Sequence, residues 1–194
     1  MLLSKLSKVI DCQKIYNLTK SNLSFNYIST NSKNIKKKSI LIIENNKKFK
    51  RHYINEAIKN GAIAIITSKY IKNIKIAQFV VFNISDSLKI LLENLKENPP
   101  KNIIGVTGTN GKTSVVWFIS NICYLNNIKT KTYGTLGYYK NFKKKEDSDL
   151  TTPEYEILYQ KSFSSSKINN YNFVFEVSSH SISKNRIRNF PINI

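Results

Sequence analysis

Little in this sequence could staple the chain or anchor it. Only two cysteines occur among 194 residues, Cys12 and Cys123, far apart and in apolar stretches that read as helical. Two such thiols make no disulfide framework; they read as buried and reduced, which points to a reducing compartment and a cytoplasmic location. No apolar run approaches the roughly 18 residues that a membrane-spanning helix needs. The opening MLLSKLSKVIDC carries lysines at 5 and 8, with no small-residue cleavage pattern after it. It reads as a short amphipathic helix and not as a signal peptide, so no membrane partner is expected.

Arginine is scarce as well. Of 31 basic residues only Arg51, Arg186 and Arg188 are arginine. The net charge of +19 raises the question of nucleic acid, but phosphate and base readers lean on the bidentate guanidinium. The lysines are dispersed, with short clusters at 36–38 and 143–145, and read as a solvated surface. Lys, Ile and Asn are inflated throughout, the drift of an A/T-rich genome. A basic RNA-binding protein is therefore the weakest reading, and no nucleic-acid partner is expected.

What is present is a pattern of two α/β units, with 41% apolar residues to supply a core. After a turn-like stretch at 29–39, the run Ile40-Leu41-Ile42-Ile43 predicts a strand, followed by a polar loop from Glu44 to Arg51. Ile54, Ala57 and Ile58 predict a helix at 53–60 that stops at Gly61. Residues 62–67 and 78–84 read as strands. Asp86-Ser87 can cap a helix that carries Leu88, Leu91, Leu92 and Leu95. Asn98-Pro99-Pro100 is a stiff break, placing the boundary between domains 1–98 and 99–194.

Beyond the prolines the pattern restarts: a strand at 103–106, a helix from Ser114 to Leu125 burying Val115, Phe118, Ile119 and Ile122, and a strand at 131–136. A polar loop at 137–153, a helix at 154–163 and a strand from Phe173 to Val177 follow. Strand, helix, strand, helix, strand predicts a parallel sheet. The fold class is therefore α/β: a small N-terminal α/β domain followed by an incomplete P-loop-type parallel-sheet ATPase domain.

The strongest chemical signal is Gly108-Thr109-Asn110-Gly111-Lys112-Thr113 between a predicted strand and a predicted helix. The glycines allow successive N–H groups to point at phosphate oxygens. The helix N-terminus adds positive charge, Lys112 reaches the outer phosphates, and the Thr113 hydroxyl can ligate Mg²⁺. A mere tight turn would not require this set of residues at this spacing. The loop departs from GxxxxGK(S/T), because Val106 holds the first glycine's place. Other features have plain readings. Thr151-Thr152 can cap the helix that starts near Pro153, His52 reads as a surface residue, and Ser178-Ser179-His180 lacks the acid partner of a triad.

TGTNGKTS at 107–114 resembles the phosphate loop of the Mur ligases and of their relative folylpolyglutamate synthase. Phe175-Glu176-Val177-Ser178-Ser179-His180 with Arg186 is similar to the EVSSH…R signature of the members that act on UDP-N-acetylmuramoyl-L-alanyl-D-glutamate. Tyr133-Gly134-Thr135-Leu136-Gly137 and Leu150-Thr151-Thr152-Pro153 match the same members, and Asn31-Ser32-Lys33 stands where they have Asp-Ser-Arg. The resemblance implies an ATP- and Mg²⁺-dependent amide ligase of peptidoglycan synthesis. It would add a diamino acid, diaminopimelate on family frequency, through an acyl phosphate. By this resemblance Gly108, Thr109, Asn110, Gly111, Lys112, Thr113 and Ser114 bind ATP, Thr113 and Glu176 hold Mg²⁺, and Lys112 and Glu176 serve catalysis. Thr30 and Ser32 match positions near the substrate's uridine. Thr151, Thr152, Ser178, Lys184 (Gln in the family) and Arg186 match positions near its muramoyl-peptide part.

The family's carbamylated lysine and its C-terminal domain, which binds the amino acid, lie beyond residue 194. Three alternatives stay open on the sequence. The chain can be an inactive nucleotide-binding remnant of such a ligase, one fragment of a split ligase whose second part is encoded downstream, or another Mur- or folylpolyglutamate-type ligase.

Overall fold

The structure is a computed structural model, and it describes residues 1–43, 50–163, 170–187 and 190–193. It divides into two compact units, Met1–Leu95 and Lys96–Ile194.

The first unit is a five-stranded sheet in the order β1-β5-β4-β3-β2. Strands β2 (Tyr27–Ser29), β3 (Ser39–Ile42), β4 (Ala62–Thr67) and β5 (Ala77–Val81) run parallel, and β1 (Cys12–Tyr16) pairs antiparallel with β5. The largely apolar sequences of β3, β4 and β5 follow from their central place, where both faces are covered. Helix α2 (Arg51–Asn60) places Ile54 and Ala57 in a core cluster with Leu41, Ile65 and Ile74. It ends at Gly61, whose φ of 108° lies in the left-handed region. Helix α1 (Leu3–Val9) buries Leu3 and Leu6, and α3 (Ile84–Asn94) buries Leu88, Leu91 and Leu92.

Several expectations need correction here. The α3 cap is Asn83, whose side chain accepts from the Asp86 N–H, so the helix begins earlier than Asp86-Ser87 and β5 stops at Val81. Strands β1 and β2 were not legible, because β1 is a mostly exposed edge and β2 is only three residues long. Cys12 stands on β1, half-buried, and not in a helix; desolvation pushes its thiol pKa up. Cys123 is a buried helical thiol as expected. The expected loop from Glu44 to Arg51 lies largely outside the described residues, and Arg51 itself opens α2.

The second unit is also five-stranded, in the order β6-β10-β7-β8-β9. Strands β6 (Asn102–Val106), β10 (Tyr171–Glu176) and β7 (Lys129–Gly134) are parallel; β8 (Gly137–Lys140) and β9 (Lys143–Glu146) extend the sheet antiparallel. The expected polar loop at 137–153 is thus half hairpin. Its four β9 residues, Lys-Lys-Lys-Glu, are all exposed and carry none of the alternation that marks a strand.

Alternation along β10 sorts the two faces. Phe175 meets Phe190 edge-to-face, and Phe190 also meets Tyr159 and Phe163 of the α5 (Tyr155–Ser162) region. Asn172 points the other way, with its side-chain N–H on the Cys123 sulfur of α4 (Lys112–Leu125). A buried hydroxyl pair, Ser120 and Thr132 at 2.8 Å, fixes α4 to β7. Helix α4 therefore buries Val116, Ser120 and Cys123. Phe118 and Ile122 are 64% and 61% exposed, and Val115 is exposed too, so the expected buried face is wrong by about one position. The helix is apolar around most of its circumference, and periodicity alone could not say which stripe the sheet takes.

Candidate functional site

The loop between β6 and α4 is built on backbone geometry. Gly108 has φ of 148° and Gly111 has φ of 77°, values that L side chains rarely adopt. Gly111 is the N-cap of α4, so the helix begins at Lys112, two residues before the expected start. Residues 107–111 are exposed, and the first-turn N–H groups of α4 have no intrahelical partner. Such a turn offers donors and a positive helix end to an anion. The Lys112 ammonium donates to the carbonyls of Gly108 and Thr109 at 2.8 and 3.4 Å.

Glu176 is the last residue of β10, four residues on from Asn172, so it shares the α4 face. It is 2% exposed and lines one small pocket with Thr113, Trp117, Gly134 and Tyr139. The two expected Mg²⁺ ligands thus meet in one place. Their donor set fits that ion: a carboxylate and a hydroxyl are oxygen ligands, and Mg²⁺ is commonly held by one or two protein oxygens, with waters and substrate phosphates completing the shell. No group of three His, Cys, Asp or Glu side chains able to hold a metal occurs among the described residues.

The Glu176 carboxylate is held by a residue to which the sequence reading gave no role. The Thr135 N–H donates to Oε1 at 2.8 Å and its hydroxyl donates to Oε2 at 3.1 Å. Gly134 makes room for this grip, since a Cβ there would stand 2.1 Å from Oε1. The only signal available was the glycine-flanked Gly134-Thr135-Leu136-Gly137 itself.

The other expected residues divide by burial. Thr152 is 1% exposed; its hydroxyl donates to the Glu176 carbonyl at 2.7 Å and accepts from the Ser178 N–H at 3.0 Å. It does not cap a helix: the α5 N-cap is Glu154, with no side-chain cap bond. Arg186, 8% exposed, donates from Nη1 to the Thr152 carbonyl at 3.0 Å and pairs through Nη2 with Glu154 at 3.1 Å. Its Nε is buried without a hydrogen-bond partner. Thr151, half-buried, has its hydroxyl 3.2 Å from that of Thr135. Ser178 caps α6 (Ser179–Ser183) by accepting from the Ser181 N–H. Lys184 and His180 are exposed at that helix, and Ser114 is exposed on α4. Thr151, Thr152, Ser178, Arg186 and Glu176 therefore form one hydrogen-bonded cluster that Thr135 and Glu154 complete.

The remaining two expected residues belong to the first unit. Thr30 follows β2 and is half-buried. Ser32 opens a single 3₁₀ turn at Ser32–Asn34 and is buried. Its hydroxyl donates to Glu56 at 2.5 Å and its carbonyl accepts from Asn60 at 3.0 Å. These bonds tie the turn to α2.

Residues 106–194 match the Mur ligase middle domain. The UDP-N-acetylmuramoyl-L-alanyl-D-glutamate–2,6-diaminopimelate ligase of Wigglesworthia glossinidia brevipalpis is 36% identical over 182 residues, which are 87% of this chain and 36% of that protein. The protein named as the second such ligase of Clostridium acetobutylicum is 34% identical over 198 residues, covering 96% of this chain and 40% of its own length. A solved structure of a ligase of that name superposes with a TM-score of 0.63 at 19% identity, over 99% of this chain and 39% of that one. The chain spans about two fifths or less of the length of these relatives.

Proposed function

We propose, from the match of residues 106–194 to the Mur ligase middle domain and from the 36% and 34% identity to the two ligases above, that the chain belongs to the Mur ligase family and carries the substrate- and phosphate-binding part of an ATP-dependent amide ligase of peptidoglycan synthesis. That enzyme adds meso-diaminopimelate to UDP-N-acetylmuramoyl-L-alanyl-D-glutamate. The observation that carries this reading is the β6–loop–α4 unit with Thr113 and Glu176 facing one pocket.

In the reaction the γ-phosphoryl group of ATP passes to the D-glutamate γ-carboxylate, and the amine of the diamino acid then displaces phosphate to form the amide. Backbone N–H groups of Gly108 to Ser114 cradle the phosphates. Lys112 leaves the Gly108 and Thr109 carbonyls for the transferring group and stabilises its charge. Thr113 and Glu176 would hold Mg²⁺, which would supply neutralisation of phosphate charge. Thr151, Ser178 and Lys184 present the polar surface that meets the muramoyl peptide. Thr152 and Arg186 hold that surface in place from behind. Thr30 and Ser32 place the uridine end on the first unit, with Ser32 acting through the turn it fixes. No helix among the described residues is long and apolar enough to cross a membrane.

The test is the Lys112→Ala variant, with ATP binding measured by calorimetry at fixed Mg²⁺. Loss of a charge-assisted contact, worth ~1.5–3 kcal/mol, weakens binding by roughly ten- to a hundredfold. Equal affinity in variant and wild type removes the phosphate-loop assignment.

A further inference from the structure

We infer that Thr135 is a positioning residue that ties the carboxylate of the Mg²⁺ site to the hydroxyl of Thr151 on the substrate side; the inference rests on the reading just given. Three observations carry it. Thr135 grips both carboxylate oxygens of Glu176, one with its backbone N–H at 2.8 Å and one with its hydroxyl at 3.1 Å. Hydrogen bonds from one residue to both oxygens restrain the carboxylate's terminal torsion. Gly134 lets the carboxylate lie against β7, because any Cβ there would overlap it. The Thr135 hydroxyl also stands 3.2 Å from the Thr151 hydroxyl.

Proton counting gives this arrangement a direction. A threonine hydroxyl has one proton and two acceptor sites, whereas an ionised carboxylate only accepts. The Thr135 proton therefore goes to Glu176, and the contact with Thr151 must run from the Thr151 hydroxyl to Thr135 Oγ1. Thr151 has then spent its own proton and can only accept from a ligand. It suits an amide N–H or a hydroxyl of a peptidyl-sugar substrate and does not suit a carboxylate oxygen. Thr152 is committed in the same way to Glu176 and Ser178. One residue between two glycines thus fixes the metal carboxylate and the donor–acceptor sense of the neighbouring subsite.

Thr135 could instead serve only the tight β7–β8 turn, and two substitutions separate the possibilities. Thr135→Val keeps shape, β-branching and the backbone N–H bond but removes the hydroxyl; Thr135→Ser restores it. ADP binding is measured by calorimetry in EDTA and across a Mg²⁺ titration, with emission from Trp117 as a local reporter. That residue is the single tryptophan of the chain and lines the same pocket. Loss of a hydrogen bond behind a metal-ligating carboxylate typically weakens metal affinity by ~10–100-fold. Thr135→Val should need that much more Mg²⁺ for half its effect, with ADP affinity in EDTA unchanged and Thr135→Ser close to wild type. Wild-type Mg²⁺ dependence in Thr135→Val overturns the inference. So does equal loss in Thr135→Ser, or a matching loss in EDTA, since either marks a packing role. Wild-type protein that binds no ADP under any condition removes the phosphate-site reading and this role with it. Wild-type binding with an unaffected Thr135→Val removes this role alone.

Discussion

Gly134→Ala is the most severe small change that the structure allows at this site, and its effect can be worked out from two contacts. The added Cβ would stand 2.1 Å from Oε1, 2.7 Å from Cδ and 2.8 Å from Cγ of Glu176, whereas ordinary contact begins near 3.4 Å. The strain is one of space and not of backbone, because Gly134 is not among the positive-φ glycines. Glu176 must therefore retreat by more than an ångström, and it is buried at the end of β10 between β6 and β7. Retreat breaks the two bonds from Thr135. Overpacking of this kind costs ~1–3 kcal/mol. For a unit of this size each kcal/mol lowers the melting point of the second unit by roughly 4–8 °C. The functional signature is sharper than the thermal one. ADP affinity in EDTA should hold, since loop 107–111 and α4 are untouched, while the gain on adding Mg²⁺ should vanish. Melting curves with paired calorimetric titrations test both halves. A variant that gains as much from Mg²⁺ as wild type would show that the Glu176 position does not matter to the ion.

Lys131 supplies a second test. It is fully buried, with its ammonium 3.9 Å from the Tyr171 ring centroid, and burial, with the Lys140 charge nearby, lowers its pKa from 10.5 to about 7. Between those values the unfolded chain holds a proton that the folded chain lacks, so this residue makes stability rise with pH over that window. Lys131→Met should stabilise near pH 7, by an amount reduced by a cation–π loss of ~0.5–2 kcal/mol, with the difference fading toward pH 10.5; a pH-independent difference in denaturation midpoint refutes it. Arg186→Ala strips the buried Thr152 carbonyl of its Nη1 partner and should destabilise by ~1–3 kcal/mol, with faster amide exchange around residues 151–154. Unchanged stability would mean that the guanidinium is idle in the ligand-free protein.

The parts of the fold that could be read from sequence are those where burial imposes a pattern. Residues 62–67 were expected as a strand and are β4, because an interior strand covered on both faces favours a near-continuous apolar run. Gly61 was expected to end a helix and does so in a left-handed conformation. The β8–β9 hairpin was invisible for the opposite reason. Its outer strand buries nothing, so no apolar residue marks it, and it is held by pairing with β8. Helix α4 shows a third situation. Its residues could bury either of two stripes, and the sheet takes the one that brings Ser120 to Thr132.

The chemistry divides along the same line. The Gly108–Thr113 loop announces itself, because the phosphate binding proposed for it needs particular residue types at fixed short spacing. Glu176 could be placed by strand alternation once β10 was recognised: Asn172, Val174 and Glu176 share a face, and the first of them already touches α4. The support behind Glu176 left almost no local trace. Thr135 is 41 residues from the carboxylate it holds, and Thr152 is 26 residues from the Ser178 N–H it accepts. A threonine before a proline reads equally well as a helix cap or as a tertiary anchor, and only the fold decides. It decides for the anchor because the Glu176 carbonyl at the end of β10 and the Ser178 N–H at the start of α6 are both satisfied by one buried hydroxyl. Exchanging that hydroxyl for a methyl group would take this partner from both backbone groups at once.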